Sequence, residues 1–290
     1  MFRQIVLYFI ILSLGACTPS TAPLVVAPEA PPQRIISTLP SITEVLFDIG
    51  LGDRIVGDSF YTKYPPETAT IDKIGGLYDI SREKIISLKP DLVIVSIENV
   101  TLRQSRFAPI LTVDHRTLEG VLDSYLIIGE AFGNDILAIA QRKRQELIDS
   151  LSNLEARTKR KKPIRTLICI DRSHGTGQIQ NLFVAGADSF LSNVVTRAGG
   201  ENVAASSGLL APMLSAEGVI RLAPDVIIDI HVNGMDSALG LSDWQRLGDK
   251  IPAVKNQHIL ILTDDFASIP GPRTPILIEK IARYFEEITP

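Results

Sequence analysis

Three groups of side chains in this chain could do chemistry. Gly57-Asp58-Ser59 sets a serine beside an acid, as a hydrolase nucleophile would be set, and Asp171-x-x-His174 offers the acid and base to activate it. Hydrolases built on that block carry their Asp/His pair near the end of the domain, whereas here a long stretch of chain follows it, and no G-x-S-x-G elbow or phosphate-binding G-x-x-x-x-G-K-[ST] loop occurs. Four histidines, His115, His174, His231 and His258, could serve as metal ligands. His115 and His231 each follow an apolar run and so stand near strand ends, but no HxH or HExxH spacing pairs any two of them. The third group is electrostatic. Glu83 in SREKIISLKPDLVIV (81–95) and Glu217 in SAEGVIRLAPDVIID (215–229) occupy the same place in a repeated text, in which Ser, Glu, Ile, Leu, Pro, Asp and Ile recur in register.

In each copy the serine stands where a helix should start and can cap free backbone N–H groups, while the glutamate puts negative charge in the positive first turn. Each helix must stop before Pro90 or Pro224, and an apolar run follows. The same rhythm fills the chain. RIISTL, RIVGDS, DLVIVS and PILTVD, then TLICIDR, DVIIDIH and HILILTDD, are short apolar runs lacking two-residue alternation, separated by helical patterns such as SITEVLFDIGLG and SFLSNVVTRAGG. This predicts parallel strands buried on both faces by helices, hence an α/β fold of two Rossmann-like lobes, each with a parallel central sheet. Between them, residues 119–162 carry helical spacing with one break at Gly133-Asn134, which predicts a long, stiff interlobe helix. The basic cluster closing it (Arg157, Lys159, Arg160, Lys161, Lys162) complements the helix dipole. The lobes are expected over 34–118 and 163–290, and a binding site belongs between them.

Residues 1–16 combine Arg3, the apolar run Ile5 to Leu14 and small residues before Cys17, the form of a lipoprotein signal peptide; the run is too short to span a bilayer. Cys17 would then be lipidated, and the Pro- and Ala-rich segment 17–33 would be a disordered tether. Cys169, in an apolar run, is left without an intrachain partner and reads as a buried thiol. With a formal net charge of −4 and 45 % apolar residues, the chain can build a substantial core and gives no electrostatic case for nucleic acid.

The order and spacing of RIISTLPSITEVLFDIGLGDRIVG (34–57), YTKYPPE (61–67), IGGLYDISREKIISLKPDLVIVS (74–96), AGGENVA (198–204), LSAEGVIRLAPDVII (214–228) and DDFASIPGPR (264–273) resemble the substrate-binding proteins of ABC importers for cobalamin, ferric siderophores and haem. The resemblance implies a non-enzymatic carrier, a lipoprotein exported to the periplasm or outer cell surface. Its partners would be an ABC permease dimer with ATPase subunits and a small-molecule metal chelate. It implies no intrinsic cofactor; an iron chelate (siderophore or haem) is the first expectation for cargo and a corrinoid such as cobalamin the second. Ligand would sit between the lobes, with Tyr61, Tyr78, Arg172, His174, Asp265, Phe266 and Arg273 as candidate contacts. Leu77 and Ala211 stand where the cobalamin carrier has large aromatics. Arg172 and Arg273 could pair with anionic groups of the chelate. Glu83 and Glu217 would dock on permease arginines, one from each lobe. Related carriers bind bare zinc or manganese, which keeps the histidines as the alternative; a GDS-type esterase ranks below it.

Overall fold

The computed structural model describes residues 30–77, 79–173, 181–231 and 237–288, excluding the side chains of 237–239. The expected signal peptide, Cys17, most of the tether, Tyr78 and His174 lie outside the described residues. The first lobe holds β1 (Ile35–Ser37), α1 (Pro40–Asp48), β2 (Ile55–Asp58), β3 (Asp72–Lys73), α2 (Arg82–Ser87), β4 (Leu92–Ser96), α3 (Val100–Arg103) and β5 (Ile110–Val113). Its sheet runs β3-β2-β1-β4-β5 with every pairing parallel. The central strands are buried because helices cover both faces, and β4 is buried at all five positions. Pro40 opens α1 with its φ already helical, and the Gln33 and Arg34 amides tie the chain's entry to Asp91 at 2.8 Å each.

Then come α4 (Leu118–Phe132), α5 (Asn134–Thr158), β6 (Ile164–Asp171), β7 (Leu182–Val184), α6 (Phe190–Arg197), β8 (Gly200–Asn202), β9 (Met213–Leu214), α7 (Ala216–Leu222), β10 (Val226–Ile230), α8 (Ser237–Gln245), α9 (Pro252–Lys255), β11 (Ile259–Leu262) and α10 (Thr274–Glu287). The second sheet runs β11-β10-β6-β7-β9 and corrects the expectation of two parallel sheets. β10, β11 and β8 lie parallel to β6 or to each other, but β7 pairs antiparallel with β6 and β9 antiparallel with β7. Two- and three-residue strands are too short to show a pattern in sequence.

The predicted spine is also corrected: it is two helices, not one. Gly133 takes φ 91°, open to glycine without strain, and turns the chain back on itself. Gly129 abuts Leu137 and Ala140, and Arg144 Nε donates to the Leu122 carbonyl at 3.1 Å, so residues equally far from the corner meet across an antiparallel hairpin. α4 belongs with the first lobe, where Tyr125 donates to Asp48 at 2.7 Å. Only α5 continues to the second lobe, packing on α6 and α10. One apolar cluster runs from Ile35 and Ile94 of the first sheet through Leu147, Leu151 and Leu154 of α5 to Ile228 and Phe285 of the second lobe. Among the described residues no helix is long and apolar enough to cross a membrane.

Candidate functional site

In the first sheet the strand order reverses between β1 and β4, and the crevice outside the carboxyl ends at such a reversal is where open α/β sheets bind ligands. A cavity of ≈ 330 Å³ lies there, lined by Thr38 and Leu39 after β1, Ser96 and Val100 after β4, Leu77 and Arg82. Apolar side chains at this end of the lobe stand in water, Leu77 and Val100 of the lining among them. Phe60, Tyr61 and Tyr64 of the β2–β3 loop are exposed as well. The Tyr61 ring lies against Gly76, where a Cβ would come within 3.0 Å of it. Gly75 holds φ 122° with the Asp79 carbonyl 2.5 Å from where its Cβ would be, a close approach that only glycine permits.

The second lobe closes its strand ends with charge. Asp171 ends β6, and the guanidinium of the next residue, Arg172, is fully buried. It donates to Asp229 Oδ2 from Nε and Nη2 at 3.1 and 3.0 Å, to Asp243 Oδ2 from Nη1 at 2.8 Å, and to the Gly240 carbonyl at 3.1 Å. The Trp244 indole N–H donates to the same Asp229 oxygen at 2.6 Å, and His231 Nε2 stands 2.9 Å from it. Burial raises the Asp229 carboxyl, but donation from His231 and the charge of Arg172 outweigh it and hold the group below the usual carboxylate range. Arg172 therefore clamps α8 over the strand ends, its guanidinium engaged by Asp229 and Asp243. Beside this clamp Phe183 on β7 and Met213 on β9 form a cross-strand pair, both exposed and level with Asp171.

Asp265, Phe266 and Arg273 do come together, but as a junction between lobes. The Arg273 guanidinium holds Glu44 of α1 through Nε and Nη2 at 3.0 and 2.5 Å and Asp265 through Nη1 and Nη2 at 2.9 and 3.1 Å. Its Cζ lies 4.2 Å from the Tyr64 ring centre and 5.4 Å from that of Phe266. Burial raises the Glu44 carboxyl and Arg273 only partly offsets it. Because this junction joins the segment after β1 to the segment after β11, the carboxyl ends of both sheets open on one seam.

Glu83 and Glu217 are exposed in the first turns of α2 and α7, whose serines cap as expected: Ser81 accepts from the Lys84 amide at 3.1 Å and Ser215 from the Gly218 amide at 3.2 Å. Among the described residues the remaining chemistry does not assemble. Ser59 is buried and its Oγ accepts from the Tyr61 amide at 3.3 Å, while Asp58 is bound to Lys73 at 2.7 Å. His115 is buried against Ser41 Oγ at 2.9 Å, and burial pulls its imidazole down to about 4, so it is neutral at pH 7. Among the described residues no three His, Cys, Asp or Glu side chains converge to hold a metal. Cys169 is buried.

Phe60, Val100, Phe183 and Met213 were not among the expected contacts. Phe183 and Met213 had no signal, because their pairing arises from the antiparallel strands. Phe60 could have been found beside Tyr61.

Comparison with known proteins agrees with this architecture. The periplasmic binding protein family matches residues 35–266. The crystal structure of the periplasmic vitamin B12-binding protein of Vibrio cholerae is similar at a TM-score of 0.72 with 27 % identity, covering 89 % of this chain and 98 % of that one. A periplasmic haem-binding protein from Roseiflexus sp. RS-1 is similar at 0.74 with 26 % identity, covering 88 % and 98 %. An uncharacterized ABC transporter substrate-binding lipoprotein of Bacillus subtilis is 29 % identical over 272 residues, 89 % of this chain and 81 % of that one. These relatives are transport components, not enzymes.

Proposed function

The chain belongs to the periplasmic binding protein family, and from that premise we propose that it is the exported, lipid-anchored receptor of an ABC importer. It captures a metal chelate between its lobes and delivers it to a permease dimer driven by ATPase subunits. The observation that carries the reading is the apolar surface left in water at the carboxyl ends of both sheets, Tyr61, Leu77 and Val100 on one lobe and Phe183 with Met213 on the other. Such faces suit a broad, flat ligand whose faces are apolar. The two arginines expected to meet an anionic siderophore are both engaged by carboxylates. A metal macrocycle, haem or a corrinoid, is therefore the cargo class assigned, in keeping with the B12- and haem-binding names of the relatives.

Glu83 and Glu217 begin helices at the same end of each lobe, one carboxylate apiece, which supports their role as permease-docking groups. Cys17 is the proposed lipid anchor. Tyr78 and His174 stay as candidate ligand contacts from the sequence.

Calorimetric titration with cyanocobalamin, hemin and a ferric hydroxamate tests the cargo; fluorescence of Trp244, fully buried in the second lobe, is a poor reporter. Saturable binding of one macrocycle, weakened about ten-fold by Tyr61→Ala, is expected. Binding of the hydroxamate alone would overturn the assignment. Glu83→Lys with Glu217→Lys should abolish uptake and leave affinity unchanged, and a large loss of affinity would show those carboxylates to be misassigned.

A further inference from the structure

The β2–β3 loop, which carries the exposed Phe60, Tyr61 and Tyr64, is tied down by one partly buried cation, Lys73. Lys73 Nζ lies 2.7 Å from Asp58 Oδ1 at the start of the loop, and donates to the carbonyl of Thr62 in its first part at 3.3 Å and to that of Thr68 in its second at 3.0 Å. An ammonium has three donors, and all three are directed at this loop and its flanks. In its first part, residues 59–62, three other hydrogen bonds hold the backbone. Phe60 N donates to the Gly75 carbonyl at 2.9 Å, Thr62 N to the Ser59 carbonyl at 3.0 Å, and Tyr61 N to Ser59 Oγ at 3.3 Å. Asp58 Oδ2 and Thr62 Oγ1 are buried without a hydrogen-bond partner, so neither replaces a lost contact to Lys73.

The consequence falls on Tyr61. Its ring packs on Gly76, and Leu77, the next residue, lines the first-lobe crevice. The Thr62 carbonyl lies one residue beyond the Tyr61–Thr62 peptide, so a shift of it reaches the Tyr61 backbone through Thr62. We propose that Lys73 is a positioning residue for ligand recognition: its ammonium fixes the Thr62 carbonyl, and so holds the Tyr61 ring at the mouth of the first-lobe crevice. This rests on the reading of that crevice as the ligand site. Lys73 itself need not touch ligand.

Lys73→Met alone would leave Asp58 buried without its counter-charge, so the informative variant is Asp58→Asn with Lys73→Met, which removes both charges together. Hydrogen exchange of the ligand-free protein should show the Phe60 and Thr62 amides exchanging at least about ten-fold faster in that variant, with β4 and α4 amides unchanged. Lys73→Arg should retain most of the protection. Cyanocobalamin and hemin are the probes for binding. Whichever one the wild type takes up should bind about ten-fold more weakly to the double variant, with little further loss on adding Tyr61→Ala, because one ring is lost in either case.

Unchanged exchange at Phe60 and Thr62 would overturn the proposal, as would full additivity of the loop variant with Tyr61→Ala. Faster exchange in the variant together with no binding of either probe by the wild type would overturn the assignment of the crevice, while supporting Lys73 as the anchor of the loop. The exchange readout needs no ligand, so the two failures are distinguishable.

Discussion

The two lobes begin their repeated helices in the same way and finish their strands differently. In the first, the carboxyl ends of β1 and β4 are left open, and the one fully buried acid near them, Asp58, faces a lysine that still reaches water. In the second, the ends of β6 and β10 are sealed by Arg172, which bridges Asp229 and Asp243 with almost no exposure on any of the three. Both acids are buried, and the number of donors around each sets its acid-base character. Asp58 is pushed up to about 6, mainly by burial that Lys73 does not offset, whereas Asp229 is held below its usual range.

Breaking the sealed side should have the largest effect. Arg172→Met leaves two buried carboxylates without their cation and should cost about 3–5 kcal/mol of stability in urea unfolding. Lys73→Met should cost clearly less at pH 6, because Asp58 can take up a proton. Equal losses would erase the contrast between the lobes. Between them, Arg273→Met strips Glu44 of its partner across the seam and should cost about 2–4 kcal/mol. Adding Glu44→Gln should recover part of that loss in the same assay, and no recovery would show that the ring contacts of Arg273, not its charge, hold the seam.

Stability measured against pH sharpens the comparison further, since the two acids have opposite signs. Asp58 in the folded chain titrates above its unfolded value near 3.8, so the folded state keeps a proton that the unfolded state has lost, and stability falls as pH rises from about 4 to about 6. Asp229 titrates below its unfolded value, so its contribution is present above that value and disappears as pH falls through the folded one. Asp58→Asn should remove the decline between pH 4 and 6 from urea midpoints, and a decline left intact would mean another group causes it. The smallest effects belong to the shared feature. Ser81→Ala and Ser215→Ala should each cost about 1 kcal/mol in thermal unfolding, by nearly equal amounts, because each removes one cap of the same geometry.

Much of the fold could be read from the chain because buried parallel strands and capped helices write themselves locally. DLVIVS and DVIIDIH are strands in the structure, and both Ser-x-Glu helices start at their serines. The reversal at Gly133 was visible only as a break, since its direction depends on Gly129 meeting Leu137 and Ala140. The partners of the two arginines were hidden for a similar reason. Arg172 finds Asp229 57 residues away and Arg273 finds Glu44 229 residues away, and no local pattern reveals such choices. A hint existed in the acids, because Asp229 in a run of isoleucines and Glu44 in an apolar helix both need a buried cation. Sequence supplied one side of each pair as a candidate and left its partner unnoticed.

The apolar cluster that passes without interruption from the first sheet along α5 into the second lobe bears on how the molecule meets a protease. Two lobes joined by an extended strap can be cut apart and each half studied alone. Here the span between the lobes is a helix whose Leu147, Leu151 and Leu154 are buried, so cleavage within it requires local unwinding that exposes the core of both halves at once. A nick in this connection is resisted by the buried leucines and would damage both halves together.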